Sequence, residues 1–349
     1  MPEIRAEGVS KIFSRKPGQV ARLIFTGASA EDIRAAGATP AVLDATFDVQ
    51  PGEIFVIMGL SGSGKSTLLR MLNGLCTPTS GRVHVSGEEI TSLGAKKLRN
   101  LRQRAVSMVF QNFALFPHRS VVENAAYALE ARGVPKAERL AKAREFLGLV
   151  GLTDWADRLP GELSGGMRQR VGLARALAAE TGILLMDEAF SALDPLIRRD
   201  MQDQLLSLQR SLDKTIVFIT HDLAEAMRIG DRIAVMREGR IVQIGTPQEI
   251  LTDPADDYVA RFVRDVDRSA VLTAQAIMLP PGEALTLDKE TTVSARAPLA
   301  ELLVPAAQSP VPLAVVGDGG ELLGVIPRET LLNALAGCQT GQEREVSLG

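Results

Sequence analysis

Gly59, Gly64, Lys65 and Ser66 fill a G-x-x-x-x-G-K-[ST] template without a mismatch. Residue types at this spacing handle phosphate. Glycines let the backbone curl around an anion with its N–H groups pointing inward, and a following helix adds partial positive charge at its N-terminus. Lys65 would then reach the outer phosphates and the Ser66 hydroxyl would ligate Mg²⁺. Ser61, Gly62, Ser63 and Thr67 complete the cradle. A carboxylate pair, Asp187-Glu188, ends a wholly apolar run (183–186), and His221 follows a second apolar run (215–219).

The elements that must position these groups can be read from the same pattern. The apolar run 54–58 is a buried strand that breaks at Gly59, and a helix is expected from Lys65 to Asn73. Upstream come a strand over 4–13 and an unusual stretch, 14–40, with a helix around 30–36 and read as a surface insertion. An alternating, half-exposed strand spans 42–49. Downstream, strands are expected at 81–86, 106–110, 183–186, 215–219 and 233–236. Helices are expected from Ser164 to Ala179, at 197–209 and at 223–228. The segment 120–159 is helical in period and is read as an insert apart from the strand-rich core. Strands alternating with helices imply a mainly parallel sheet covered on both faces.

Composition bounds the rest. The 349 residues suit two domains, and 39 basic against 42 acidic residues leave a net charge of −3. No electrostatic footprint argues for nucleic acid. The basic run 96–104 fits a solvated helix face, and His84 and His118 are read as structural. Two distant cysteines, Cys76 and Cys338, suggest a reducing compartment. The first residues lack an apolar signal core, and no apolar run approaches the roughly 20 residues that cross a bilayer. A cytoplasmic chain is expected, with any channel supplied by another polypeptide.

Six elements stand in one order: the phosphate loop, Gln111, Leu163-Ser164-Gly165-Gly166, Asp187-Glu188, Ser191-Ala192-Leu193-Asp194 and His221. In this series the sequence resembles the ATP-binding subunits of ABC transporters over about residues 4–262. The resemblance implies an α/β fold: a P-loop NTPase core of the ABC ATPase type with a helical subdomain at about 112–180. It implies ATP and Mg²⁺ as cofactors and assigns roles. Asp187 would hold Mg²⁺ together with Ser66. Glu188 would orient and deprotonate the attacking water, and His221 would contact the γ-phosphate. Gln111 would sense γ-phosphate and metal. Ser164, Gly165 and Gly166 would meet the nucleotide of the opposite subunit, with Asp194 at the seam, so a homodimer is implied. Phe13 is the aromatic placed to stack on adenine.

Finer features resemble the ATPases of glycine betaine and proline betaine importers, which take up osmoprotectants. These are Met167 in the signature, Ala189-Phe190 after the acidic pair, the 14–40 insertion, and the segments 113–118 and 221–230. The implied partners are integral-membrane permease subunits and a periplasmic or lipid-anchored solute-binding protein, with this chain on the cytoplasmic face of the bacterial inner membrane. Choline or carnitine is the alternative solute, and a soluble ABC ATPase outside transport the alternative class. The apolar loop Phe113, Leu115, Phe116 and Pro117 is expected to line a groove for a permease helix, with Tyr127 and Trp155 packing the helical insert.

After Arg264 the character shifts, so domains are drawn at 1–265 and 266–349. Residues 280–282 read as a linker. Residues 291–336 read strand, helix, strand, turn, strand, helix, with a hairpin signal at Asp318-Gly319-Gly320. This resembles one cystathionine-synthase-type (CBS) regulatory repeat, at about 285–337, with 270–278 as a remnant of a second and 341–349 as a frayed tail. Pro327 and Thr330 stand where nucleotide-binding repeats carry a hydroxyl and an Asp, so regulation by contact is expected.

Overall fold

The computed structural model describes residues 1–15, 29–111, 113–191, 193–281, 292–317 and 319–337. Residues 16–28 of the 14–40 insertion, Asn112, Ala192, 282–291 between the linker and the repeat, Asp318, Cys338 and the 341–349 tail lie outside the described residues. The chain divides into two units, 1–246 and 247–349. Sequence alone places this boundary at 265/266. Two short helices, Pro247–Thr252 and Asp257–Phe262, therefore belong with the second unit.

The first unit holds two sheets. Strands β1 (Ile4–Phe13), β2 (Thr39–Val49), β4 (Ser80–Val85) and β5 (Glu88–Glu89) form an antiparallel sheet in the order β2-β1-β4-β5. Strands β3 (Ile54–Gly59), β6 (Val106–Val109), β7 (Ile183–Asp187), β8 (Thr215–Thr220), β9 (Arg232–Arg237) and β10 (Arg240–Gly245) form the second, in the order β10-β9-β3-β8-β7-β6. All its pairings are parallel except the β9–β10 edge. The separate antiparallel sheet and strand β10 were not foreseen.

The sheets differ because their strands do. Every residue of β3, β7 and β8 is buried, as in a sheet covered on both faces, whereas β2 alternates buried and exposed positions over much of its length. The helix Lys65–Leu72 contacts strands of both sheets, which buries Leu68, Leu69, Met71 and Leu72. Phe47 of β2 stacks on Phe55 of β3 at 5.0 Å, joining the sheets through one core. The phosphate loop is thus cast between a rigid strand and a helix enclosed by apolar surface.

The helical part consists of Val121–Ala125, Tyr127–Ala131 and Lys136–Leu149 packed on Gly165–Ala178. Ser120 starts it with a capping box to Glu123. Tyr127 and Trp155 belong to this part but remain 39% and 38% exposed, so neither is a core residue.

In the second unit, β11 (Thr292–Ser294), β12 (Leu313–Val316) and β13 (Leu322–Ile326) make a sheet with β11 parallel and β13 antiparallel to β12. Helices Leu299–Gln308 and Arg328–Ala336 complete the strand-helix-strand-strand-helix order. Short helices Arg268–Val271 and Ala274–Ile277 precede them.

Candidate functional site

The turn from β3 into the helix Lys65–Leu72 is built by three glycines at positive φ: Gly59 (151°), Gly62 (79°) and Gly64 (103°). Two of them leave no room for a side chain. A Cβ at Gly59 would stand 2.3 Å from the Met236 carbonyl oxygen, and one at Gly64 would stand 2.0 Å from that of Ala41. Inside the turn, Lys65 is 4% exposed and donates to the carbonyl oxygens of Gly59 (2.8 Å) and Leu60 (3.0 Å). Burial lowers its pKa, and the charges of Glu188 and Asp187 oppose that. A third ammonium proton remains for a ligand oxygen. Ser63 Oγ is buried without a hydrogen-bond partner. The cradle therefore fits a phosphate: a buried cation, an unpaired hydroxyl and a curled backbone face one space. Ser61, Gly62 and Thr67 are not buried.

Asp187 closes β7, 2% exposed, and accepts from the Ser66 hydroxyl at 2.8 Å. Burial raises its pKa; the Ser66 hydrogen bond, then Arg70 with Nη2 at 3.9 Å, oppose the rise. A hydroxyl beside one carboxylate is a hard oxygen pair of the kind that holds Mg²⁺ jointly with phosphate oxygens. Among the described residues no cluster of three or more His, Cys, Asp or Glu side chains could hold a metal by itself.

Glu188 sits next to that pair in a left-handed conformation (φ 46°). Its backbone is pinned by the bond from its N–H to the Ile219 carbonyl (3.1 Å) and by the Ser191 hydroxyl donating to its own carbonyl (3.0 Å). The turn aims the carboxylate at two partners from different strands. Gln111, just past β6, donates its Nε2 to Glu188 Oε2 at 3.0 Å, and His221 Nδ1, just past β8, lies 3.4 Å from the same oxygen. The side chains of Glu188 and His221 are 17% and 55% exposed, so the cluster opens to solvent on the histidine side. A carboxylate held this way can take a proton from water and pass it on. Of the three residues expected on Mg²⁺, the described contacts join Ser66 with Asp187, while Gln111 bonds Glu188 instead.

Ser164 N-caps the helix Gly165–Ala178, its Oγ accepting from the Met167 N–H at 3.3 Å. Asp194 likewise caps Pro195–Leu212 by accepting from the Ile197 N–H at 3.1 Å. The two helix starts are neighbours, since a Cβ at Gly166 would meet Leu193 at 3.3 Å and Ile197 at 3.5 Å. Among the described residues, no hydrogen bond or ion pair joins Ser164–Gly166 to the phosphate loop. Phe13, at the end of β1, is 49% exposed with the Lys11 ammonium 5.2 Å from its ring centroid.

Four residues that bind these parts together escaped the sequence reading. Arg70 flanks Asp187. Fully buried Asn124 accepts from the Phe116 N–H and donates to the carbonyls of Phe116, Arg119 and Ser120, holding the loop before the helical part. Arg198 ties Asp222 (2.9 Å), the neighbour of His221, to the Leu193 carbonyl (3.1 Å) beside Asp194. Arg175 grips the loop after Gln111. A period-3.6 pattern marks such residues only as interruptions of an apolar face, and their partners lie far off in sequence.

A cavity of ≈ 350 Å³ opens beside this loop, lined among others by Phe110, Ala114, Phe116, Tyr127 and Ala128. Of the loop residues expected to line a groove for a permease helix, Phe113, Leu115, Phe116 and Pro117, Phe116 lines this cavity, while the Phe113 ring faces the Arg168 guanidinium 5.6 Å away.

A phosphate cradle between a parallel strand and a helix, with a Ser–Asp pair and a second carboxylate bracketed by Gln and His, defines a P-loop nucleotide hydrolase with a helical subdomain. The ABC transporter family profile matches residues 42–191. The chain is 47% identical to the glycine betaine transport ATP-binding protein OpuAA of Bacillus subtilis, covering 96% of this chain and 93% of that protein. It is 43% identical to the glycine betaine/proline betaine transport system ATP-binding protein ProV of Escherichia coli, with 95% and 97% covered. A dimeric ATP-binding cassette in a post-hydrolysis state, bound to ADP and Pi, superposes with a TM-score of 0.61 at 29% identity, over 70% of this chain and 98% of that one. The chain belongs to the ATP-binding proteins of ABC transporters, an ATPase family.

Proposed function

We propose that this chain is the ATP-hydrolysing subunit that energises uptake of a quaternary amine osmoprotectant, glycine betaine or proline betaine, through a partner permease. The observation that carries the hydrolytic half is the convergence of Gln111 and His221 on Glu188, one residue after the Ser66-bonded Asp187. The solute rests on relatives whose similarity runs through both units. A trimethylamine N-oxide transport ATP-binding protein, TmoW of Ruegeria pomeroyi, is 45% identical over 96% of the chain. A glycine betaine/carnitine protein, GbuA of Listeria monocytogenes, is 46% identical over 97%. Small methylated amines are therefore the competing solutes.

The mechanism follows from the chain's own groups. The backbone of 59–64 and the Lys65 ammonium bind the outer phosphates, and Phe13 offers an exposed ring to adenine. Ser66 and Asp187 would hold Mg²⁺, which supplies charge neutralisation at the phosphate oxygens when bound. Glu188 orients a water and accepts its proton. His221, sharing the Glu188 oxygen, contacts the γ-phosphate from the solvent side. The exposed start of the helix Gly165–Ala178, capped by Ser164, offers backbone N–H groups to an anion from outside the subunit, and Asp194 caps the neighbouring helix beside it, which supports a homodimer with nucleotides at the seam.

The subunit works against the cytoplasmic face of the membrane. Among its described residues no helix is long and apolar enough to cross a bilayer, so permease subunits supply the path and a solute-binding protein the specificity. The cavity beside Phe116 and Tyr127 receives a permease helix. The C-terminal unit is a single CBS-like regulatory repeat acting by contact. Pro327 caps the last helix without an N–H to offer, and Thr330 is buried. Space above Gly324 is filled, since a Cβ there would meet the Leu279 carbonyl at 2.6 Å.

Uptake of labelled glycine betaine, choline, carnitine and trimethylamine N-oxide into vesicles carrying the reconstituted transporter tests the assignment. ATP-dependent uptake of a betaine, competed only weakly by choline, is expected. Uptake confined to another solute overturns the substrate. Removing 279–349 should alter the dependence of uptake on salt, and an unchanged dependence would remove the regulatory role.

A further inference from the structure

The loop after Gln111 is touched along one face of the helix Gly165–Ala178 by residues spaced four and three apart, Arg168, Gly172 and Arg175. The Arg168 guanidinium faces the Phe113 ring at 5.6 Å. A Cβ at Gly172 would sit 3.9 Å from the Phe113 carbonyl oxygen, so the helix backbone passes close to the loop. Arg175 makes the firmest contact: Nη1 donates to the Ala114 carbonyl at 2.6 Å and Nη2 to the Phe113 carbonyl at 2.8 Å.

Two features set this contact apart from ordinary packing. Arg175 is only 9% exposed, and among the described residues no carboxylate lies within ion-pair distance of it. A buried charge served by carbonyl dipoles alone is costly compared with an apolar side chain of similar volume. Its two acceptors also belong to consecutive residues in the left-handed region, Phe113 (φ 59°) and Ala114 (φ 48°), a backbone that persists only where its surroundings impose it. Two residues before Phe113, Gln111 donates to Glu188.

We propose that Arg175 is a positioning residue for hydrolysis. Its forked grip on the Phe113 and Ala114 carbonyls sets the approach of Gln111 to Glu188, so a tilt of the helix that begins at Ser164–Gly166 is delivered to the general base. A guanidinium spans two successive carbonyls in a fixed plane, whereas an ammonium is a point charge without that fork. The inference rests on the reading of Glu188 as the base.

The test is a double-mutant comparison in the full-length chain, measuring kcat and KM for ATP hydrolysis, nucleotide affinity and melting temperature. Arg175→Lys should lower kcat by about tenfold to a hundredfold, the penalty of a small misplacement in a catalytic array. ATP affinity should change little. In a Gln111→Ala background the same change should lower kcat no further, because the route it disturbs is already cut. Equal falls in both backgrounds, or an unchanged kcat in Arg175→Lys, overturn the proposal. If Arg175→Lys does not fold, Arg175→Gln, which is neutral and free of the buried-charge cost, carries the same comparison. A wild-type chain without ATP hydrolysis sinks the hydrolytic reading itself; wild-type hydrolysis with additive variants sinks only the role of Arg175.

Discussion

Glu188→Gln isolates the proton-accepting step from everything else the site does. The amide has nearly the shape of the carboxylate, so the left-handed turn, the bond to the Ile219 carbonyl and the Ser191 contact are kept. Gln111 can still donate to the new side-chain oxygen across 3.0 Å. Two things change. The site loses a negative charge that helps keep buried Lys65 protonated, leaving Asp187 to do so. Fewer negative charges around the cradle should leave affinity for polyanionic ATP intact or improved. An amide also cannot take a proton from water at neutral pH. Loss of a general base costs roughly 10²–10⁴ in rate, which is about 2.7–5.5 kcal/mol of transition-state stabilisation. Single-turnover phosphate release reads the chemical step, fluorescent-nucleotide titration reads binding, and light scattering reads the ATP-held dimer that should accumulate. Turnover within about threefold of wild type, a difference below 1 kcal/mol, in a variant that melts normally would refute the assignment.

Other parts of the site can be tested in the same preparation. Gly64→Ala forces a Cβ to within 2.0 Å of the Ala41 carbonyl at a φ of 103°, so ATP binding should be lost and stability should fall by about 1–3 kcal/mol; calorimetric ATP titration that matches wild type would contradict this. Glu225 is 5% exposed, and burial raises its pKa above the ordinary 4.5 against hydrogen bonds from Thr220 and Gln202. The folded state then holds a proton that the unfolded state has released, so this group's contribution to stability declines as pH rises from 4.5 through the raised value. Glu225→Gln should therefore gain on wild type in melting temperature across that window and hold a constant difference above it; a pH-independent difference would count against the argument. Ala128→Glu places a charge in the ≈ 350 Å³ cavity beside Phe116, and should suppress permease-stimulated hydrolysis while ATP binding persists. Full stimulation in that variant would exclude the cavity as the docking site.

Local chemistry made much of this protein legible in one dimension. The 59–67 loop could be read because strand break, glycines, lysine and helix start are contiguous, and each has a single backbone reason to be there. The apolar runs ending at Asp187 and just before His221 are strands in the structure for the same reason: burial on both faces leaves no alternation to misread. Even the order of elements over 292–336 followed from turn residues and short apolar runs. Tertiary structure alone decided what happens between distant segments. Sequence periodicity does not say that strands 4–13, 39–49 and 80–85 leave the parallel sheet to make an antiparallel one, since pairing depends on which edges meet after collapse. Nor does it say that the Gln111 amide reaches Glu188 rather than Ser66 and Asp187, that Phe113 turns away from the cavity, or that Arg175 spends a buried charge on two carbonyls 61 and 62 residues away. Those choices are made by directional bonds whose partners become neighbours only once the core has closed, because a hydrogen bond requires a position and an angle that composition and spacing do not encode.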